Sequence, residues 1–387
     1  MIAPAGVAPM SIPLTRPVLG EAEERAVLEV LRSGWLVQGP KVAELERVVA
    51  GLVGARHAVA TSNCTTALHL ALILHGIGAG DEVIVPSFTF IATANAVTYT
   101  GATPVFADID PSTYNLDPDA VNAAITPRTK AIMPVHQIGL AADMDRLHAI
   151  ARQHGTVLIE DAAPALGATY RGRPVGGLGN TACFSFHPRK AVTTGEGGMI
   201  TTDDGALAER ARLLSAHGMS VSDLARHQAR RVIIEEYQDI GYNYRMSDVH
   251  AAIGIEQLKR LPSILAQRCE LAERYTAAFS DLEGVQLPFS SGETPHTYQS
   301  YMIQLGAGAG STRERLMDEL LAAGIPTRRG VMAIHREPVY RKRCGSVSLP
   351  VTETAAATTV LIPLYAGMTD GEQEYVIDHV RRALGRS

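Results

Sequence analysis

The chain has 387 residues, of which 46% are hydrophobic and 19% charged, and its formal net charge is −5. This length allows two domains with separate cores, and the acidic balance argues against a nucleic-acid-binding surface. No run reaches the roughly 18 uninterrupted apolar residues of a membrane helix. The four cysteines show no CxxC or zinc-like spacing. We therefore expect a soluble cytoplasmic protein with reduced thiols, no metal, and no nucleic-acid or membrane partner.

The order of apolar patterns predicts two domains. Residues 1–15 are apolar but lack the basic start of a signal peptide, which indicates a flexible N-terminal arm. Over residues 16–260, strand-like runs alternate with amphipathic helical patterns, as in an α/β domain with a mostly parallel sheet between helices. Residues 261–387, with a strand-like run at 297–305, predict a smaller α+β C-terminal domain. The seven runs that predict the strands of the large sheet are HAVAT (57–61), EVIVP (82–86), TPVFAD (103–108), KAIMPV (130–135), TVLIE (156–160), ACFSF (182–186) and GMITT (198–202).

The segment SNCTTALHLAL (62–72) joins the first strand to a helix. Free N–H groups and the helix dipole favour an anion at such a turn. The segment is thus a candidate phosphate site made by the N–H groups of Cys64 and Thr65 and the Thr65 hydroxyl. Ordinary N-capping explains the same residue types and, for this segment taken alone, is the commoner arrangement.

Two acids end the strand in IEDAAPALGATY (159–170). Because successive side chains of a strand point to opposite faces, only one of them faces a given site, and we choose Asp161 over Glu160. A carboxylate there suits a cationic nitrogen such as the protonated ring nitrogen of pyridoxal phosphate, and the small Ala163 would let a flat ring lie against the backbone. A surface acidic pair is an equally good explanation of this segment alone.

Lysine occurs at only five positions, and Lys190 stands in the Pro-, Thr- and Gly-rich connection of FSFHPRKAVTTGEGGMITT (184–202). A lysine that forms an imine must reach a pocket and have a lowered pKa, which burial and a nearby cation can supply. An exposed loop lysine is the alternative, and the local residues alone do not separate the two.

Two further segments are less specific. In IGYNYRMSDVHAAIG (240–254), a polar loop with Asn243 and Arg245 precedes a helix that Ser247 would cap. In PSFTFIATANAV (86–97), Phe88 and Phe90 follow a strand end, and one of them could stack on a cofactor ring, although such aromatics are more often core residues.

Together, these motifs resemble the DegT/DnrJ/EryC1/StrS sugar aminotransferase family of fold-type-I pyridoxal-phosphate enzymes. The resemblance runs in order from SGWLVQGPKVAELE (33–46) through the segments above to GIPTRRGVMAIHREPVY (324–340) and LPVTE (349–353). It implies that the large domain binds pyridoxal 5′-phosphate and that two subunits form a homodimer with shared active sites.

The resemblance also implies a role for each matching residue. Lys190 forms the Schiff base with the cofactor and then moves protons, while Asp161 pairs with the ring nitrogen. Phe90 and Ala163 lie against the two ring faces. Cys64, Thr65 and Ser185 bind the phosphate, and Asn243 reaches the phosphate of the neighbouring subunit. Substrate-side groups are His187, Arg245 and His335.

Two departures from the family pattern concern the surroundings of the cofactor and substrate. Pro164 stands where Gln or His commonly approaches the ring hydroxyl, and proline offers neither a side-chain donor nor an N–H. The segment RRGVMAIH (328–335) lacks the frequent His-Tyr pair, which leaves the substrate undefined.

The reaction implied is transfer of an amino group from L-glutamate (or glutamine) to a keto sugar linked to a nucleotide diphosphate, with a keto-cyclitol as the alternative. Lys190 favours amine transfer over the family's dehydratases, which carry His there. A pyridoxal-phosphate lyase would use the same Lys190 and Asp161, and a non-catalytic regulatory protein would need neither. A nicotinamide dehydrogenase is disfavoured because no GxGxxG opens a helix after an early strand.

Overall fold

The computed structural model describes residues 11–221 and 223–385, so the first ten residues of the predicted arm lie outside it. The strands are β1 (His57–Thr61), β2 (Glu82–Pro86), β3 (Thr103–Ala107), β4 (Thr129–Ile132), β5 (Val157–Asp161), β6 (Thr169–Tyr170), β7 (Arg173–Pro174), β8 (Thr181–Ser185), β9 (Gly198–Thr202), β10 (Val285–Gln286), β11 (Tyr301–Leu305), β12 (Arg328–Arg329) and β13 (Thr359–Ile362). The helices are α1 (Glu21–Ser33), α2 (Pro40–Val53), α3 (Cys64–Leu74), α4 (Ala92–Tyr99), α5 (Pro118–Ala124), α6 (Met144–His154), α7 (Gly205–Ser215), α8 (Asp223–Gln228), α9 (Asp248–Phe279), α10 (Arg313–Ala322), α11 (Pro338–Cys344), α12 (Pro350–Thr358) and α13 (Asp370–Ala383).

The central sheet has the strand order β1-β9-β8-β5-β4-β2-β3. Strands β8, β5, β4, β2 and β3 are parallel to their neighbours in this row, whereas β9 runs antiparallel to both β1 and β8. These are the seven predicted strands, with small shifts at their ends. The predicted α/β fold with a mostly parallel seven-stranded sheet is therefore confirmed.

Both faces of this sheet are covered, which explains why its strands are continuous apolar runs rather than alternating ones. Helices α2 and α9 pack on one face through residues such as Leu45 and Ile255. Helices α3 and α4 pack on the other through Leu68 and Val97. As a result, every residue of β2, β8 and β9 is buried.

A second, antiparallel sheet of order β10-β11-β13-β12 forms the centre of the smaller α+β unit. Its core joins strand residues such as Ile303 to Leu316 of α10 and Val376 of α13. The chain near the N-terminus packs here too. Ile12 is fully buried in this core, and its N–H donates to the Gly324 carbonyl at 3.1 Å. The described end of the predicted arm is thus held against the smaller unit.

Helix α9 connects the two units without an intervening loop, so the predicted boundary after residue 260 falls inside a continuous helix. Up to Leu261, its apolar side chains belong to the core beneath the large sheet. From Leu271 onward, they belong to the core of the smaller unit. Pro262 lies at the end of the first part.

Two absences hold for residues 11–221 and 223–385. No helix there combines the length and apolar character that crossing a lipid bilayer requires. No three potential metal-ligating side chains cluster in the same ranges.

His296 is a buried titratable group in the smaller unit. It is 5% exposed, its Nδ1 accepts the Tyr298 N–H at 2.8 Å, and its ring stacks on Tyr298 with a centroid separation of 4.3 Å. Burial lowers the pKa of this imidazole from 6.5 to about 3. Between these pH values the folded state holds His296 neutral while the unfolded chain is protonated. The free energy of unfolding must therefore fall as the pH decreases from 6.5 towards 3.

We expect His296→Asn, which keeps an acceptor for the Tyr298 N–H, to remove this part of the pH dependence. The loss for one proton is about 1.4 kcal/mol per pH unit. Urea unfolding at several pH values from 4 to 7, in steps of roughly one unit, measures it. His154→Asn, at an exposed position, is the matched control. Equal pH slopes for the two variants would contradict this explanation.

Candidate active site

A cavity of about 1070 Å³ lies between the carboxyl ends of the central strands and the sheet of the smaller unit, from which β12 and β13 line it. Most of the predicted site residues meet here although they are distant in sequence. Those that line the cavity are Cys64, Thr65, Phe90, Asp161, Ala163, Ser185, His187 and Lys190. Asn243, Arg245 and His335 are not part of its wall.

The turn before α3 presents two free backbone donors. Asn63 caps the helix because its Oδ1 accepts the Thr66 N–H at 3.0 Å. Among the described residues, the N–H groups of Cys64 and Thr65 have no acceptor. N-capping and phosphate binding are therefore not alternatives here. The cap satisfies only the Thr66 N–H, and the N–H groups of Cys64 and Thr65 stay free at the positive end of the helix.

Gly198, the first residue of β9, makes room for this turn. A Cβ atom at Gly198 would overlap the backbone of Asn63 and lie 2.7 Å from the Cys64 nitrogen. The sheet can therefore approach the turn this closely only with glycine at position 198. The GEGG segment (195–198) therefore contributes to the site by allowing this close approach.

Asp161 ends β5 with its side chain buried at the cavity wall. Its Oδ2 accepts the Thr93 hydroxyl at 2.7 Å, and its Oδ1 accepts the Ala163 N–H at 3.1 Å. Burial raises the pKa of this carboxyl, while these two hydrogen bonds and the charge of Lys190 oppose the rise. A cationic nitrogen bound in the cavity would stabilise the ionised form further.

Glu160 points to the opposite face of β5, as strand alternation requires. It lies in a buried network in which His136 Nε2 is 2.9 Å from Glu160 Oε2 and the Asn180 amide donates to Oε1 at 2.7 Å. The Ala142 N–H donates to His136 Nδ1, so Nε2 carries the proton that Glu160 accepts. This network fixes the strand end behind Asp161.

Lys190 lies in a turn in which its N–H donates to the His187 carbonyl at 2.8 Å. Burial lowers the pKa of its amine, the charge of Arg189 adds to this effect, and the thiol of Cys64 and the carboxylate of Asp161 oppose it. A lowered pKa increases the fraction of neutral amine, which is the form that attacks a carbonyl carbon. Lys190 thus lines the same cavity as Asp161 and Cys64 and interacts electrostatically with both.

These residues fit pyridoxal 5′-phosphate on three independent counts. Two orphan N–H donors at the start of α3 suit a phosphate, and a buried carboxylate suits the ring nitrogen. A partly buried lysine with a lowered pKa suits imine formation. Phe90, whose side chain is 57% exposed, and Ala163 line the space between them.

Pro164 also lines the cavity and offers no hydrogen-bond donor. The nearby wall includes Gln137, a residue that we did not predict from the sequence. Its amide nitrogen donates to the Phe88 carbonyl. Gln137 is thus an amide side chain held in place beside the cavity.

His335 is placed away from the cavity, contrary to the predicted position on the substrate side. Its backbone N–H donates to Ser87 Oγ, and that hydroxyl lies 2.7 Å from His335 Nδ1. Its Nε2 is 3.1 Å from a carboxylate oxygen of Glu353. With both ring nitrogens bonded and only 2% of its surface exposed, His335 connects the end of β2 to α12. The family motif alone could not reveal this orientation.

Asn243 and Arg245 lie on the loop before α9, outside the cavity of their own chain. Asn243 is exposed, and its backbone forms an isolated bridge with Ala216. The contact of Asn243 with the phosphate of a neighbouring subunit and the substrate-side role of Arg245 both stay predictions.

Some cavity residues were missed in the sequence because they carry no local motif. Thr93 lies on α4, one turn after the predicted Phe90, and bonds Asp161. Arg328 and Arg329 come from β12 in the smaller unit. Arg189, which directly precedes Lys190, also lines the cavity, although the sequence motif predicted no function for its side chain.

The model of the DegT/DnrJ/EryC1/StrS aminotransferase family matches residues 17–381. The spore coat polysaccharide biosynthesis protein SpsC of Bacillus subtilis (strain 168) is 43% identical over 374 residues, which cover 96% of this chain and 96% of that relative.

Solved structures give the same picture. The aminotransferase TlmJ from Streptoalloteichus hindustanus superposes with a TM-score of 0.89 at 36% identity, over 96% of this chain and 98% of that one. DesV from S. venezuelae superposes with a TM-score of 0.87 at 35% identity, over 97% and 99% of the two chains.

Proposed function

Because the chain belongs to the DegT/DnrJ/EryC1/StrS aminotransferase family and uses pyridoxal 5′-phosphate as its cofactor, we propose that it transfers the amino group of L-glutamate (or glutamine) to a keto sugar linked to a nucleotide diphosphate. The carbonyl would lie at carbon 3 or 4 of a deoxysugar. The name of the SpsC relative refers to polysaccharide biosynthesis, which supports a sugar as acceptor.

The observation that carries this proposal is the meeting of Lys190, Asp161 and the free N–H groups of Cys64 and Thr65 in one cavity. When bound, the cofactor supplies an electron-withdrawing ring that stabilises negative charge on the carbon next to the transferred nitrogen. A histidine at position 190 could not form an imine, so the lysine there supports amine transfer.

Each group of the chain has a separate task in this proposal. The N–H groups of Cys64 and Thr65, with Ser185 at the end of β8, bind the phosphate. The Asp161 carboxylate holds the proton on the ring nitrogen, and Thr93 and Ala163 keep its oxygens in place. The Lys190 amine, neutral at a lower pH than an exposed lysine, removes a proton from the donor carbon and returns one to the acceptor carbon.

A nitrogen-transfer assay tests the function directly. The holoenzyme is incubated with ¹⁵N-labelled L-glutamate or L-glutamine and a panel of nucleotide-linked 3- and 4-keto sugars and keto-cyclitols, and products are identified by mass spectrometry. We expect one nucleotide-linked amino sugar to carry the label. If only a keto-cyclitol gave labelled product, the acceptor would be a cyclitol and not a sugar. Elimination without transfer of the label would indicate a lyase.

We also propose a cytoplasmic homodimer with shared active sites. The four cysteines are unpaired thiols, as in reducing compartments. Residues 232–240 form a segment that we call the 232–240 patch. Its exposed apolar side chains, with their exposed fractions, are Val232 (91%), Ile234 (84%), Tyr237 (65%) and Ile240 (88%). Exposed apolar side chains clustered in this way are typical of a protein interface. Asn243 lies three residues after the patch, so an interface there would bring Asn243 towards the partner's site.

Aspartate at Val232 and Ile240 should weaken this dimer, because a charge would be buried at the interface. Analytical ultracentrifugation measures the change. We expect a dimer for the wild-type protein and a shift towards monomer for V232D/I240D. Leu321→Asp, at a 63% exposed apolar position on α10, is the matched control. A wild-type monomer, or the same mass for all variants, would contradict the proposal.

A further inference from the structure

Two arginines from distant parts of the chain line the cavity and influence each other. Arg189 lies in the loop after β8, next to Lys190, whereas Arg328 lies on β12 in the smaller unit. Burial lowers the pKa of the Arg189 guanidinium, and the charge of Arg328 lowers it further. Two positive groups thus line the same cavity, close enough for the charge of one to act on the other.

Within the described ranges, neither guanidinium has a carboxylate partner. The neighbouring Arg329, in contrast, lies 3.1 Å from Glu337. Arginines elsewhere are paired in the same way, for example Arg336 with Glu353 at 2.6 Å and Arg315 with Glu319 at 2.8 Å. Arg189 and Arg328 are thus two arginines without a carboxylate partner in the wall of one cavity.

Neither carboxylate of the cavity wall is paired with these two arginines in the part of the chain that the structure describes. The wall contains two carboxylates, Asp161 and Glu196. Asp161 is bonded to Thr93 and Ala163, and Glu196 lies in the loop after Lys190, where its charge acts on His187. Two like charges in one cavity repel each other, and an anion bound between them would relieve this repulsion.

The position of Arg189 is held by the smaller unit. The side-chain amide of Gln299 donates to the Arg189 carbonyl at 2.9 Å, and the Gln299 N–H donates to the Ile138 carbonyl at 2.9 Å. Gln299 thus connects the loop that carries Arg189 to another part of the cavity wall. This contact fixes the backbone at Arg189, and the planar guanidinium that the loop carries suits two-point binding of a carboxylate or phosphate.

We propose that Arg189 and Arg328 form one anion subsite that serves both halves of the reaction. In the first half it binds the side-chain carboxylate of the amino donor, which makes glutamate a better donor than glutamine. In the second half it binds a phosphate of the acceptor. This inference rests on the proposed function, which supplies two successive anionic substrates to the cavity that the two arginines line.

Binding to the holoenzyme tests the subsite without turnover. Isothermal titration with glutarate represents the donor's side chain, and titration with inorganic pyrophosphate represents the acceptor. We expect both ligands to compete for one site in the wild-type protein. Arg328→Gln should weaken each by at least about 10-fold, since a hydrogen-bonded charge pair is lost. Arg328→Lys, which keeps the charge but not the fork, should recover part of the binding.

Arg315→Gln, at a paired arginine on α10 outside the cavity, is the matched control and should bind both ligands as the wild-type protein does. Wild-type binding by Arg328→Gln, or weakening of only one ligand, would overturn the shared subsite. So would a wild-type protein that binds neither ligand.

Donor preference separates failure of this inference from failure of the proposed function. The apparent KM for glutamate should rise at least about 10-fold in Arg328→Gln while that for glutamine changes little. If the KM values for glutamate and glutamine rose equally, the proposed subsite would be refuted, while the proposed amine transfer would not be affected. A wild-type protein that moves nitrogen from neither donor would instead refute the proposed function.

Discussion

Replacing Lys190 by alanine should abolish the Schiff-base absorbance of the holoenzyme and lower steady turnover by at least about 10³-fold. Positioned proton transfer alone contributes roughly 10²–10⁴-fold in enzymes, and here the same side chain also holds the cofactor covalently. The phosphate turn and Asp161 do not depend on Lys190, so cofactor should still bind non-covalently. Absorbance spectra and steady-state assays on the same preparation measure both effects.

A second lysine provides the control for this result. Lys259 lies on α9, is well exposed and pairs with Glu256. Lys259→Ala should leave spectrum and turnover unchanged. If Lys190→Ala converted many equivalents of keto acceptor per subunit, Lys190 would not be the imine-forming residue.

Asp161→Asn should keep the cofactor in place while slowing proton transfer by roughly 10- to 100-fold, the usual effect of losing a hydrogen bond to a charged group. The asparagine amide can still form a hydrogen bond with Thr93 or Ala163. It carries no negative charge, however, and so cannot keep the ring nitrogen protonated. Single-turnover measurements with glutamate isolate the first proton transfer from product release. Asp145→Asn, an exposed residue paired with Arg171, serves as control. An unchanged rate in Asp161→Asn would remove Asp161 from this role.

The strands and the residues at their ends were predictable because buried parallel strands are short apolar runs, and polar residues stand out where they stop. Asp161 and the turn at Cys64 both follow such runs. The choice of Asp161 over Glu160 required only strand alternation, and the structure places Glu160 in the network with His136.

Other parts of the site depend on long-range packing, which local patterns do not contain. Arg328 reaches the cavity because β12 pairs with β13, and this register cannot be read from a two-residue strand. His335 belongs to a family motif, yet Ser87 and Glu353 hold its ring away from the cavity. The requirement for glycine at position 198 also depends on long-range packing, because a side chain there would overlap Asn63, which is distant in the sequence.

The continuity of α9 has a mechanical consequence for substrate size. Pro262 has no N–H to donate to the carbonyl one turn earlier, so the helix resists bending least at that turn. Arg189 is carried by the unit that packs on the first part of α9, and Arg328 by the unit that packs on the second. A change in the separation of their backbones would therefore bend the helix near Pro262 or shift the loop at Gln299. The size of the anion that the proposed subsite accepts would in this way depend on the stiffness of a helix outside the cavity.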